Sequence, residues 1–230
     1  AVTDGLVAYW AFDGTDGEVA SDSSGNGHDG MLIGDPQWVE GKIGGALKFD
    51  QAGDEVDIPF HSDLNQETFT ICAWANTETG GTGHRAVVSS RDDFPQRGFI
   101  FYATPNNTWQ FWTGGGGWKS VQGPAVQLDE WEHLAGVYID GTQTFYVNGE
   151  LVGERTDAAI SINTAQEFLI GAGANETANH NYRFRGMIDE VCLFDRALDE
   201  SEISVLMESN PTSVEASGKI AVTWGQLKAK

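Results

Sequence analysis

Little in this sequence can hold it together covalently. Two cysteines in 230 residues, Cys72 and Cys192, are too few for a disulfide framework and lack metal-site spacing. Each lies in an apolar run, "FTICAWA" and "DEVCLF", where free thiols pack as small hydrophobes, so two buried thiols are expected rather than a bridge. Basic residues are also scarce: 13 Lys+Arg stand against 34 Asp+Glu, a net charge of 13 − 34 = −21. That balance argues against nucleic-acid phosphate and an anionic membrane surface as partners. It favours solubility and cations. No apolar run is long enough for a membrane span, and none has the layout of a signal peptide. Apolar residues at helix spacing are nearly missing.

What the chain has in quantity is glycine, 29 residues, between short β-rich runs. These fall at 6–12, 29–34, 45–50, 55–59, 69–75, 85–91, 98–104, 108–113, 131–140, 142–149, 151–156, 167–173 and 184–195. Evenly spaced short strands with turn residues between them predict a two-sheet sandwich or a barrel. The length suits one such domain and a core that needs no staples. Two hairpins are explicit in "VYIDGTQTFYVNGELV", because Asp140-Gly141 and Asn148-Gly149 favour the positive φ angles of tight turns. Phe145 and Val147 then share one strand face, with Thr144, Tyr146 and Asn148 on the other. One helix is predicted after residue 199: Asp199 as N-cap and Glu202 three residues on form a capping box, and Ile203, Leu206 and Met207 make a short apolar stripe. The domain is placed at 1–208. A tail at 209–230, carrying "KIAVTW" and three of the 13 basic residues, is read as an extra strand or attachment segment.

Residues 22–30, "DSSGNGHDG", raise the question of a cation. Asp22, Ser24 and Asn26 alternate as oxygen donors, Gly27 allows a sharp turn, and the His28 carbonyl follows, which suits the hard-oxygen shell of Ca²⁺. The twelfth position is Ile33 rather than Glu, so this is not a complete EF-hand loop. A metal-free Asx-type turn fits the loop equally well. A remote carboxylate is available in Asp189, set inside the apolar "RGMIDEVCLF". A buried carboxylate needs a partner, whether an ion or backbone amides, and strand alternation sends Glu190 to the opposite face.

Six blocks occur in an order that resembles laminin-G-like jelly-roll domains of the concanavalin A-like lectin/glucanase superfamily. They are "GLVAYWAFDG", "DSSGNGHDG", "GKIGGALKFD", "FTICAWA", "WEHLAGVYIDGTQTFYVNGELV" and "FRGMIDEVCLFDRALDESEI", covering about residues 4–207. The resemblance implies an all-β, two-sheet antiparallel jelly roll with one short C-terminal helix. It also implies a structural Ca²⁺ where the first strand lies beside the last long one, with Asp189 and Asp22 matching ligand positions and Asn26, the His28 carbonyl and Asp13 completing the set. Glucanases of the superfamily carry a Glu-x-Asp-x-x-Glu pattern, which no run here contains. "LDEWEHL" brings Asp129, Glu130 and Glu132 together, but "WEHLA" resembles a core block of non-catalytic members, with Glu132 facing solvent. A non-catalytic domain is therefore expected.

For carbohydrate, aromatic rings and a few ordered polar groups are needed. "NNTWQFWTGGGGWKS" places Trp109 and Phe111 on one face and Gln110 and Trp112 on the other, with Trp118 on a glycine-rich loop. "SSRDDFPQRGF" adds Arg91 and Asp92, and "GANETANHNYR" adds Tyr182 beside Asn179 and His180. The expectation is a calcium-stabilised carbohydrate-binding or adhesion domain, secreted or at the cell surface, with a glycan or glycoprotein as partner. The alternative is a protein-interaction module of a larger surface protein or matrix; a concave aromatic groove rather than a flat patch would favour the first.

Overall fold

A computed structural model describes residues 1–78, 83–173 and 181–212. Two antiparallel sheets of eight strands face each other. In spatial order the first holds β14 (Glu150–Arg155), β13 (Thr142–Val147), β12 (Trp131–Ile139), β7 (Phe69–Thr77), β16 (Arg185–Phe194), β5 (Gly45–Asp50) and β4 (Gln37–Glu40). β1 (Leu6–Trp10) also pairs with β16. The second holds β11 (Trp118–Ala125), β10 (Thr108–Gly115), β9 (Gln96–Ala103), β8 (Arg85–Asp93), β15 (Phe168–Ile170), β6 (Glu55–Ile58), β3 (Gly30–Ile33) and β2 (Val19–Ala20). This is the jelly-roll sandwich that the strand spacing and the six blocks predict. The tail segment "KIAVTW", with Asn179 and His180, lies outside the described residues.

Side-chain alternation sorts the strands into an inside and two outsides. Phe69, Ile71, Leu134, Phe145 and Val147 of the first sheet meet Phe99, Phe101, Trp109 and Phe111 of the second in one buried cluster. The outer face of the first sheet, with Cys72, Tyr146, Cys192 and Phe194, is covered by Val2 and by Ile203 and Leu206 of α1 (Glu200–Glu208). Cys72 and Cys192 are cross-strand neighbours, both free and buried. The capping box forms as expected: Asp199 accepts the Glu202 N–H at 2.9 Å, and the Asp199 N–H donates to the Glu202 carboxylate at 3.0 Å. The Val2 N–H donates to the Pro211 carbonyl at 3.1 Å, so both ends of the described fold meet on this side.

Both hairpin turns have positive φ at each central residue, 47° and 82° for Asp140-Gly141 and 52° and 77° for Asn148-Gly149. Three strands are absent from the sequence reading: β2, β4 and β11. The run Gly114–Gly117 is not a flexible loop. Gly114 and Gly115 close β10, a tight turn follows with Gly116 at φ 77°, and Trp118 opens β11.

Two further expectations are corrected. Glu132 is buried rather than solvent-facing: its Oε2 accepts the Trp109 indole N–H and the Gln127 N–H, each at 2.8 Å. A core indole N–H needs an acceptor, and Glu132 supplies it. Glu190 does not face away from Asp189. Ile188 and Val191 belong to the same inner cluster although three residues apart, so a residue is inserted between them. Glu190 has φ 52°, and the pairing of β16 with β7 shifts register between Asp189 and Cys192. This β-bulge breaks the alternation and turns both carboxylates outward.

Candidate functional site

Two places on this frame concentrate polar chemistry. The first is a cavity of about 340 Å³ on the outer face of the second sheet, within the size range of small-molecule pockets. Alternation that buries Phe99, Phe101, Trp109 and Phe111 turns Ile100, Tyr102 and Trp112 outward into it. Trp118, Tyr182 and His84 complete an aromatic wall. The rings meet edge to face or tilted: Trp112–Trp118 at 6.4 Å, Tyr102–Trp112 at 6.3 Å, Tyr102–Tyr182 at 5.4 Å and His84–Tyr102 at 4.9 Å between centroids. Burial holds the His84 imidazole below its ordinary pKa.

Arg91 rises into this wall from β8 and is only 3% exposed. Its guanidinium carbon lies 5.3 Å from the Trp118 ring centre and 5.6 Å from that of Tyr182, a cation–π contact with each. One guanidinium N–H donates to the Tyr102 hydroxyl at 2.9 Å, and Nη2 pairs with the Asp93 carboxylate. Asp93 also accepts the Trp118 indole N–H at 3.0 Å, while the Trp112 indole donates to Gln110 at 2.9 Å. The polar atoms of the aromatic residues are thus partly spoken for, and their ring faces are held in place. Phe94, 82% exposed, stands at the rim.

Of the five residues expected from sequence, Trp112, Trp118, Arg91 and Tyr182 line this cavity. Asp92 does not: its carboxylate accepts the Phe94 N–H at 3.0 Å beside the turn. The residue beside Arg91 is Asp93, and the period of two along β8 was the available signal. Tyr102 and Ile100 were missed because only the pairing of β9 with β8 and β10 carries them to the wall; His84, just before β8, was missed because its ring contacts Tyr102 and Tyr182 only across the fold.

The second place is a seam in the first sheet. The early half of β16, Arg185–Ile188, pairs with β5, and the late half, Val191–Phe194, pairs with β1. The Asp189–Glu190 bulge lies where one partner hands over to the other. Asp189 Oδ2 accepts the N–H groups of Lys42 and Ile43 at 2.8 and 2.9 Å, from the turn before β5. Asp189 Oδ1 and Glu190 Oε2 are buried with no hydrogen-bond partner among the described residues. Asp13, just past β1, accepts the Gly45 N–H at 2.9 Å. Three glycines make room: a Cβ at Gly41 would meet Asp189 Oδ2 at 2.7 Å, one at Gly44 would strike Asp13 Oδ1, and one at Gly45 the Phe12 carbonyl. Burial pushes the Asp189 carboxyl up to about 7 against the pull of the Ile43, Glu190 and Lys42 N–H groups. Burial likewise takes Glu190 up to about 8, although the Tyr9 hydroxyl donates to it at 2.7 Å.

The remaining expected oxygen donors lie around the 22–30 loop with partners of their own. Asp22 accepts three backbone N–H groups, from Tyr9 (3.0 Å), Ser24 (2.9 Å) and His28 (3.0 Å). Burial raises its pKa, but hydrogen bonds from Ser24, His28 and Tyr9 outweigh that and hold it below the usual value. The Asn26 amide donates to the Leu6 and Val7 carbonyls, and the His28 carbonyl accepts the Trp10 indole at 2.9 Å. The five residues therefore fall into two groups, Asp22–Asn26–His28 and Asp13–Asp189, with no hydrogen-bond partner in common among the described residues.

Among solved structures, the binding domain of Paraclostridial Mosquitocidal Protein 1 superposes with TM-score 0.73 at 16% identity, covering 90% of this chain and 52% of that one. Domain 4 of AbnA, an extracellular arabinanase from Geobacillus stearothermophilus solved with arabinotriose, gives 0.66 at 22% identity, covering 88% and 98%. Trypanosoma rangeli sialidase, solved with sialic acid, gives 0.70 at 18% identity, covering 88% and 32%. At these identities the likeness is one of fold. Sialidase B of Streptococcus pneumoniae is 37% identical over 76 residues, which are 31% of this chain and 11% of that protein. Among the described residues no helix is long and apolar enough to cross a membrane. Residues 50–204 match the laminin-G family model described as the concanavalin A-like lectin/glucanases superfamily, and with the two-sheet jelly roll and its aromatic outer face already in place, this chain belongs to that superfamily.

Proposed function

We propose that this chain is a non-catalytic carbohydrate-binding or adhesion domain of a secreted or cell-surface protein, stabilised by calcium. The observation that carries the reading is the concave aromatic cavity on the second sheet, where Trp112, Trp118 and Tyr182 surround the Arg91–Asp93 pair. Sugar C–H faces stack on the rings, and hydroxyls reach the polar groups between them. Because Asp93 already offsets the Arg91 charge, the site suits a neutral glycan better than an anionic one. Glycoside hydrolysis uses two carboxyl groups across the bond. Asp93 is the one carboxylate among the described lining residues and is bonded to Arg91 and Trp118, which favours binding over chemistry. AbnA domain 4, solved with the neutral arabinotriose, is consistent in kind.

The oxygen-donor chemistry of the seam supports a hard cation there. Asp189, Glu190 and Asp13 would hold Ca²⁺ together with backbone oxygen such as that of Phe12, since two buried carboxylate oxygens there lack partners among the described residues and Ca²⁺ takes six to eight oxygens. The ion would offset the buried charge and pin the end of β1 to the start of β5. Asp22 and its loop would brace β1 from the other side.

A glycan array probed with tag-free protein, with Ca²⁺ and with chelator, tests the reading. Binding lost in Trp112→Ala and Trp118→Ala is expected. No binding to any glycan in either condition overturns it, and would favour the protein-interaction module that exposed Phe94 at the rim also suits.

A further inference from the structure

We propose a second metal site, for a borderline divalent ion such as Zn²⁺, built from the side chains of His28, His61 and Asp63. Among the described residues this is the one group of three His, Cys, Asp or Glu side chains whose ligand atoms lie within 4.8 Å of one another. It is distinct from the acidic seam in both residues and chemistry. Two imidazole nitrogens with one carboxylate suit Zn²⁺ and its transition-metal neighbours, whereas Ca²⁺ asks for oxygen.

The fold brings the ligands together from distant sequence. β3 and β6 pair antiparallel, with Met31 opposite Asp57, so the start of β3 adjoins the end of β6. His28 sits two residues before the one and His61 three residues after the other. The rings end 4.8 Å apart between centroids, tilted by 57°.

Both backbones are fixed before any ion arrives. The His28 N–H donates to Asp22 and its carbonyl accepts from Trp10, which leaves the buried ring as the group that points to its neighbour. The His61 carbonyl accepts the Leu64 N–H at 3.2 Å and the Asn65 amide at 2.9 Å. Leu64 is fully buried beneath them.

Asp63 follows on the same turn, its carboxylate 3.5 Å from His61 Nδ1. Ligand atoms around a tetrahedral Zn²⁺ lie about 3.3 Å apart, given bonds of about 2.0 Å. Closing to that spacing from separations of up to 4.8 Å takes rotation of His61 and Asp63, which are exposed and cheap to move. The 3.3 Å bond from the Asp63 N–H to His61 Nδ1 is the weakest obstacle to that rotation. Three protein ligands leave a fourth position for water. An ion there would tie the 22–30 loop to the turn after β6.

The test is titration of metal-free, tag-free protein with Zn²⁺ by calorimetry, and with Co²⁺ by visible absorption. One equivalent is expected, with the intense d–d bands of a four-coordinate site, unaffected by millimolar Ca²⁺ and retained in Asp189→Asn. His61→Ala and Asp63→Asn, both at exposed positions, should each lower affinity at least tenfold, as loss of supporting groups alone does in metal sites, with unchanged circular dichroism. Absence of stoichiometric binding, or wild-type affinity in both variants, overturns the proposal.

Discussion

Stripping divalent ions from the protein and returning Ca²⁺ to it isolates the acidic seam. If one ion binds the folded state alone, a free concentration one hundred times Kd adds about 2.7 kcal/mol. A chain of this size gains about 2–4 °C per kcal/mol, so Tm should rise by about 5–11 °C. The structure also sets a pH signature. Asp189 and Glu190 are carried up to about 7 and about 8 by burial. A carboxyl raised on folding contributes fully below its unfolded value, near 4, and loses that contribution as pH rises through the folded value. The metal-free protein should therefore lose stability between about pH 4 and pH 8, and the calcium shift should be larger at the upper end. Asp189→Asn keeps an acceptor for Lys42 and Ile43 while deleting the charge, so the variant should melt near the metal-free wild type at the lower pH, lose less stability toward pH 8, and ignore Ca²⁺. Scanning calorimetry at both pH values reads all of this. A Tm that Ca²⁺ does not move, or an Asp189→Asn shift as large as the wild type's, refutes the reasoning.

Asp22→Ala strands three backbone N–H groups and should cost about 3 kcal/mol or more in urea unfolding, at about 1–3 kcal/mol for each group left unpaired. It should leave the calcium shift in place; a loss below about 1 kcal/mol would contradict the loop's bracing role. Because the Asp22 pKa is lowered on folding, its contribution should fade as pH drops below about 4. Trp118→Ala should weaken glycan binding about tenfold or more, an effect of about 1.4 kcal/mol, while moving Tm little, since Trp118 packs on the outer face rather than in the main core. Glu132→Ala removes the acceptor for the Trp109 indole and the Gln127 N–H and should cost about 2–4 kcal/mol, whereas Glu132→Gln, which keeps an acceptor oxygen, should cost less than half as much. Equal losses in the two would mean that the carboxylate charge, not the hydrogen bonding, matters.

Local chemistry was legible and handover between strands was not. The Asp-Gly and Asn-Gly hairpins, the Asp199–Glu202 capping box and the face shared by Trp109 and Phe111 depend on residues within a few positions, and each forms as read. Glu190 was assigned the wrong face because a bulge inserts a residue only where β16 changes partner, which no alternation rule within the strand reveals. Trp118 was assigned to a loop because four glycines mask a turn only two residues long. In the cavity, Arg91 was legible as a polar group among aromatics, but the acidic residue named with it was Asp92, whereas strand alternation carries Asp93 to the same face. The His28–His61 contact depends on β3 lying beside β6, a long-range pairing with no local trace.

The hydrogen bond joining Val2 to Pro211 lies with α1 on the covered outer face of the first sheet, back to back with the aromatic cavity. A bead or sensor chip coupled ahead of Val2 would therefore display the cavity toward the solution instead of against the support. For the same reason, the sandwich can be spliced by neighbouring ends into an exposed loop of a host scaffold, like a lamp set on a single bracket with its bulb turned outward.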